Sequence, residues 1–314
     1  MRLAALLLLC AMTASAADPV RIIFDTDMGN DIDDALALAM LHALESRGEC
    51  RLLGVTLTKD HPKAAQFVDA VNAFYGRGDI PIGVVRDGVT PEEGDYLGAL
   101  ADHPDLYPRS LEDPPEAVEL LRQLLAEQPD GSVTLVQVGF STNLARLVEA
   151  DRELVARKVR LLSLMGGAFP ALLAEYNIKT DLAAAQQLFA EWPTEIVVSG
   201  FEIGLSILYP AVGIERDFAY AERHPIPPAY RAYKQMPYDR PTWDLTSVLY
   251  AVRPDRGYFS LSPPGEVEVD GEGFTEFRPA ENGKHRFLTA TDEQRARARE
   301  AMMLLASQPP DREP

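Results

Sequence analysis

The feature that most constrains this chain is an alternation. Short runs rich in Val, Ile and Leu are separated by segments whose apolar residues recur at helical spacing. A strand buried on both faces reads as a continuous apolar run, whereas a helix laid on such a sheet needs only one apolar stripe. The alternation therefore specifies an α/β fold, an open and mainly parallel sheet flanked by helices. Expected strands are 20–24, 52–57, 82–85, 133–138, 159–165 and 196–198; expected helices are 35–44, 64–75, 117–126, 143–149 and 181–191. In 64–75, Phe67, Val71 and Phe74 fall at i, i+4 and i+7, and Gly76 and Gly78 follow as terminators. Towards the C-terminus, 267–269 and 274–277 flank Asp270-Gly271 as a small β-hairpin. Residues 87–114 carry many Asp, Glu, Pro and Gly without period, which predicts a long loop near the mouth of a site.

Residues 1–16 have the layout of a secretory leader: Arg2, an apolar run over 3–12 that is too short to span a bilayer, and the small-residue site Ala14-Ser15-Ala16. The expectation is an exported protein, periplasmic or secreted, with a catalytic domain over 17–314. Cleavage removes Cys10 and leaves Cys50 without an internal partner, so stability has to come from the core and not from a disulfide. The formal charge of −18 repels phosphate backbones and anionic lipid surfaces. Nucleic acid polymers and membranes are thus excluded as expected partners and a small molecule is favoured, with association into a homo-oligomer left open.

The chemistry concentrates where the first strand meets the first helix. Residues 25–34 read Asp-Thr-Asp-Met-Gly-Asn-Asp-Ile-Asp-Asp and hold five carboxylates in ten positions. Open parallel sheets bind ligands at the carboxyl ends of their strands. One or two acids would cap and charge a helix N-terminus. Five repel one another strongly enough that a bound cation is the simplest remedy. Oxygen donors without nearby His or Cys point to Ca²⁺ or Mg²⁺, and Gly29 permits a left-handed turn within the loop. A phosphoryl-transfer site and an EF-hand fit less well, because the residues after Asp27 match neither pattern. His61 or His224 can be read as a proton donor to a leaving group or as a loop histidine. Tyr176 and Trp243 can be read as stacking surfaces or as core, and Glu202 as a cleft acid or a helix-start acid.

These residues resemble the inosine-uridine-preferring nucleoside hydrolase family, whose first strand ends in an Asp-x-Asp-x-Gly…Asp-Asp signature. The similarity extends through 133–139 with Ser141-Thr142-Asn143-Leu144, Leu164-Met165-Gly166-Gly167-Ala168, Glu175-Tyr176-Asn177-Ile178 and Trp243-Asp244, in the family's order. The resemblance implies a nucleoside hydrolase-like fold and hydrolysis of N-glycosidic bonds in ribonucleosides or related N-ribosides. It also implies Ca²⁺ held by Asp27, Asp34, Asp244 and the carbonyl of Val138, with Asp27 as the base that activates water. Asp33 is expected at the ribose 2-hydroxyl, although the loop is two residues longer than the common form and leaves Asp31 as the alternative. Glu175 and Asn177 are expected at the 3- and 5-hydroxyls, and His61 and Trp243 beside the substrate. Trp243 stands where members that protonate a purine often carry His, and Phe169 where the resemblance leads one to expect a further ribose-contacting Asn. The competing expectation is therefore a calcium- and ribose-binding protein without catalysis, with a Mg²⁺-dependent phosphatase third.

Overall fold

The computed structural model describes residues 18–100, 113–170 and 173–311. The expected leader and part of the expected long loop lie outside the described residues. The strands are β1 (Val20–Thr26), β2 (Cys50–Leu57), β3 (Ile82–Val84), β4 (Val133–Gln137), β5 (Val159–Met165), β6 (Glu195–Ser199), β7 (Leu208–Tyr209), β8 (Arg240–Pro241), β9 (Ser260–Leu261), β10 (Gly265–Val269), β11 (Thr275–Pro279) and β12 (His285–Thr289). The helices are α1 (Asp33–Ser46), α2 (Pro62–Phe74), α3 (Ala117–Ala126), α4 (Thr142–Lys158), α5 (Tyr176–Thr180), α6 (Leu182–Glu191), α7 (Phe201–Ser206), α8 (Ala211–Arg216), α9 (Ile226–Tyr233), α10 (Trp243–Val252) and α11 (Asp292–Ala306).

The main sheet runs β11-β10-β12-β6-β5-β4-β1-β2-β3, with β9 paired to β12. From β3 to β12 by way of β6 all neighbours are parallel, and the antiparallel pairs of this sheet are those of β9, β10 and β11. The expected hairpin is present as β10 and β11, and β12 joins it to the parallel sheet instead of leaving it as an appendage. Within the parallel part the order 3-2-1-4-5-6 reverses direction between β1 and β4. Crossover helices leave to opposite faces at such a point, and a crevice opens beyond the strand ends.

Side-chain alternation along β1 divides the core. Ile22 and Phe24 pack with α1, α2, α10 and α11 on one face, while Ile23 packs with α3, α4 and α6 on the other. Helix α1 is buried from Asp33 to Leu44 because α2, α10 and α11 enclose it. A helix apolar on all sides suits that position, and its fully buried Leu36, Leu38 and Leu41 each contribute on the order of 2 kcal/mol. Helix α4 runs past the expected end at 149: the backbone breaks at Asp151, whose Oδ1 accepts from Leu154 N at 3.1 Å and caps a second helical stretch. Among the described residues no helix is long and apolar enough to cross a membrane.

Candidate active site at the switch point

Strand β1 carries the acidic loop to the reversal between β1 and β4. Asp25, still in the strand, is fully buried; its Oδ1 accepts from Thr56 Oγ1 at 2.6 Å and from Asn143 Nδ2 at 2.8 Å. Burial pushes its carboxyl up to about 7 against those two bonds. Because it ties β1 to β2 and to the start of α4, Asp25 fixes the frame of the site without reaching the cavity. Beyond it the loop turns at Gly29, whose φ of 118° suits a residue without Cβ. Tyr96 braces that turn: its hydroxyl accepts from Gly29 N at 2.7 Å and donates to the carbonyl of Asp31 at 2.8 Å.

The resulting cavity is about 190 Å³ and is lined by Asp27, Asp31, Asp34, Val138, Met165, Glu175, Tyr176, Asn177, Lys179, Phe201, Trp243 and Asp244, among others. Tertiary structure thus gathers ends of β1, β4 and β5 with the starts of α1, α5 and α10. Of the residues expected at the site, Asp33 and His61 do not line it. Asp33 is buried behind the cavity, where its Oδ1 accepts from Arg240 Nε and Nη2 at 2.9 and 2.7 Å, and its Oδ2 accepts from Asp244 N at 3.2 Å. In its place Asp31 faces the cavity. His61 caps α2, with Nδ1 accepting from Lys63 N at 3.3 Å. His224 is buried among Phe74, Tyr75 and Phe218, and burial depresses its imidazole to about 3. Glu202 lies in the first turn of α7 and accepts from Phe169 N at 2.9 Å, and Phe169 stacks on Phe287.

The carboxylates are set in a dry environment. Asp27 Oδ2 accepts from Asn30 Nδ2 at 2.8 Å, and Asn30 Oδ1 in turn accepts from the buried Lys59 Nζ at 2.6 Å. Burial pushes Asp27 up to about 7, and the Asn30 bond pulls the other way. Asp34 accepts a short bond from the Thr26 hydroxyl, and burial followed by repulsion from Asp27 and Asp33 raises its carboxyl well above the usual range. Asp244, in the first turn of α10, is raised by burial and then by Asp33, Asp34 and Asp27. Asp34 Oδ2 and Asp244 Oδ2 are buried without a hydrogen-bond partner. Buried polar atoms are seldom left in that state, and two orphaned anionic oxygens beside further acids invite a hard cation. Among the described residues no group of three or more His, Cys, Asp or Glu side chains is spaced to hold a metal ion by itself. A cation bound here would have to draw on a main-chain oxygen and on a ligand as well. Val138 supplies such an oxygen at the cavity wall, where it accepts from Asn177 Nδ2 at 2.7 Å.

Next to Asn177, Glu175 caps α5, accepting from the N–H groups of Asn177, Ile178 and Gly167 at 3.0, 3.2 and 3.1 Å. Burial nevertheless pushes its carboxyl up to about 7. Trp243 approaches the backbone of α7 closely, its Nε1 donating to the carbonyl of Phe201 at 2.8 Å. Any side chain at Gly204 would meet it, since a Cβ there would lie 2.1 Å from the Trp243 ring.

A parallel sheet of this order with buried acids at its switch point defines a ligand-binding α/β protein whose site is built on the first loop. Sequence comparison makes the class specific. A profile of the inosine-uridine preferring nucleoside hydrolases matches residues 22–301, and the chain belongs to that family. It is similar to the pyrimidine-specific ribonucleoside hydrolase RihA of Citrobacter koseri, 29% identical over 58% of this chain and 60% of the relative. It is also similar to uridine nucleosidase 1 of Arabidopsis thaliana, 30% identical over 58% of this chain and 56% of the relative. The chain thus aligns with about 60% of the length of these curated relatives. Among solved structures it resembles a plant nucleoside hydrolase, PpNRh1, with a TM-score of 0.73, 26% identity and coverage of 93% of this chain and 100% of the other.

Proposed function

We propose that this protein hydrolyses the N-glycosidic bond of ribonucleosides or related N-ribosides, releasing ribose and a free base, with Ca²⁺ as its cofactor. The observation that carries the reading is the pair of orphaned carboxylate oxygens on Asp34 and Asp244, buried beside Asp27 at the switch point. Asp27, Asp34, Asp244 and the Val138 carbonyl would hold the ion. Bound there, calcium would supply positive charge that offsets the mutual repulsion of the acids and lowers the proton affinity of a nearby water.

The protein's own groups account for the remaining steps. Asp27 takes a proton from the water that attacks the anomeric carbon. Asn30 holds its carboxylate in place, and Lys59 holds Asn30. The surrounding carboxylates stabilise the positive charge that develops on the sugar ring as the base departs. Asp31, the loop acid that faces the cavity, accepts from the 2-hydroxyl; Glu175 and Asn177 take the 3- and 5-hydroxyls. Trp243 and Tyr176 flank the bound sugar and base with aromatic surface.

Among the described residues no histidine lines the cavity, which leaves Tyr176 and Lys179, both weak acids, as the lining side chains that carry a proton for the leaving base. This favours substrates whose base leaves without strong acid assistance, and the names of the two curated relatives put pyrimidine ribonucleosides first. The same observation supports a second reading, a calcium- and ribose-binding protein that has lost turnover. The leader-like N-terminus supports an exported protein acting outside the cytoplasm. Ribose release from uridine, cytidine, inosine and p-nitrophenyl riboside, with and without chelator, decides between the two readings. Chelator-sensitive release that disappears in Asp27→Ala is the expected result; no release from any riboside, with calcium still bound, establishes the binding protein.

A further inference from the structure

The two acids Asp31 and Asp33 lie two residues apart and have different fates because of one arginine. Arg240, in β8, is 8% exposed. It gives Nε and Nη2 to Asp33 Oδ1, while Nη2 also reaches Asp31 Oδ2 at 2.9 Å and Nη1 donates to Tyr233 Oη at 3.0 Å. Tyr233, at the end of α9, spends its own proton on Asp31 Oδ1 at 2.8 Å. One oxygen of Asp31 therefore accepts a bond from Tyr233, the other is held in an ion pair with Arg240, and both retain lone pairs for a ligand in the cavity the residue lines. The guanidinium also lies over the rings of Tyr233 and Trp243, 5.1 and 5.0 Å from their centroids, so the same cation braces the aromatic wall beside the acid.

The chemistry of this arrangement is specific to arginine. Its fork is permanently charged and planar and can serve several acceptors in one fixed geometry, which a lysine cannot do. Asp33 neutralises the buried guanidinium and anchors it to the start of α10 through Asp244 N. Asp31, whose side chain is 40% exposed, would otherwise be free to turn between rotamers.

We propose that Arg240 and Tyr233 are positioning residues that aim Asp31 at the 2-hydroxyl of a bound riboside, and that this clamp gives the site its preference for ribosides over 2-deoxyribosides. The proposal rests on the reading of the cavity as a riboside site. It supplies what that reading lacks, the reason Asp31 and not Asp33 meets the sugar. A site built around a hydrogen bond to a substrate hydroxyl discriminates against the analogue without it, and does so only while the acceptor is held in place.

The test compares the wild type with Tyr233→Phe, Arg240→Lys and Asp31→Asn. Two readouts are taken: kcat/KM on uridine and 2-deoxyuridine, and calorimetric binding of ribose and 2-deoxyribose to the calcium-loaded protein. In Arg240→Lys the uridine to 2-deoxyuridine ratio is expected to fall about 10- to 100-fold, and in Tyr233→Phe several-fold. Neither change should lower the ratio further in the Asp31→Asn background. Tyr233→Phe keeps the ring and removes only the hydroxyl, so it remains informative if Arg240→Lys fails to fold. Equal losses on both substrates, with the ratio unchanged, overturn the clamp. A wild type that binds ribose in preference to 2-deoxyribose without turnover, with the preference lost in the variants, overturns the hydrolase reading and upholds the clamp. A wild type that neither turns over uridine nor prefers ribose overturns both.

Discussion

Two of the protein's concavities differ in almost every respect. The larger, about 630 Å³, lies between α6 and the antiparallel strands and is lined by Arg152, Gln186, Trp192, Glu266, Arg278, Lys284 and His285, among others. The smaller, about 190 Å³, is the acidic cavity at the switch point. In the larger the cations are exposed and already engaged: Arg278 pairs with Glu268 and Glu276 at 2.5 and 2.8 Å, and Lys284 donates to the carbonyl of Pro193 at 2.7 Å. In the smaller, three of the lining aspartates, Asp27, Asp34 and Asp244, are buried with their carboxyls raised, and two of their oxygens have no partner. Volume is therefore a poor guide to chemistry here. Holding unmatched charge away from water costs stability, and such a cost persists where a ligand or a reaction uses it.

The comparison can be broken most directly at Asp27. Asp27→Ala is expected to lower kcat on the best riboside by about 10³-fold or more, since a base that receives the proton of the attacking water has no substitute in the cavity. A residual rate within ten-fold of wild type, measured by ribose release, would remove Asp27 from the mechanism. The next effect is on the cation. Calcium at about 100 times its dissociation constant should stabilise the wild type by about 2.7 kcal/mol. Asp244→Asn should lose most of that increment in thermal denaturation with and without chelator, while charge-removing changes at the larger cavity should leave it intact.

A third effect concerns pH. Glu175 titrates at about 7 when folded and at 4.5 in its ordinary state. Its folded pKa is raised, so its contribution to stability is full below about 4.5 and is lost as pH rises through about 7. Glu175→Gln removes this dependence. The stability of Glu175→Gln relative to wild type should therefore increase between pH 5 and pH 8, by roughly 1–3 kcal/mol in denaturant titrations. A flat difference across that range would mean that the Glu175 carboxylate is charged throughout. The smallest effect is expected from Arg278→Ala in the larger cavity: less than about 0.5 kcal/mol in stability and no more than two-fold in kcat/KM, as for an exposed ion pair. A large loss there would overturn the view that only the smaller cavity carries chemistry.

Much of the fold is legible in the sequence where local pattern and tertiary environment agree. The run 159–165 and the helix 117–126 appear in the structure with those bounds, because a strand buried on both faces and a helix with one stripe announce themselves by composition and period. Helices α7 to α10 did not, since Gly204, Gly213 and the prolines at 210, 225, 227 and 228 interrupt any period across that stretch. Helix α10 is apolar on most sides and packs between α1 and the sheet, so it gives no amphipathic signal. Within the site, the acids of the first loop, Glu175, Asn177 and Asp244 were legible as motifs. Lys59, Tyr96, Tyr233 and Arg240 were not: each is a single residue of ordinary type, and its part comes only from what it touches.

The sequence by itself determined the layer architecture, the place of the acidic loop at the end of the first strand, and the oxygen-only character of its donors. These follow from hydrophobic period and from the density of like charge within ten residues. Only the tertiary structure decided which acid faces the cavity. Asp31 and Asp33 are chemically identical and two positions apart, and nothing local separates them. The choice was made by Arg240, more than 200 residues downstream, because a buried guanidinium requires a buried counterion. Asp33, at the first position of α1 and beneath the cavity, can meet that requirement while Asp31 remains at the surface of the pocket.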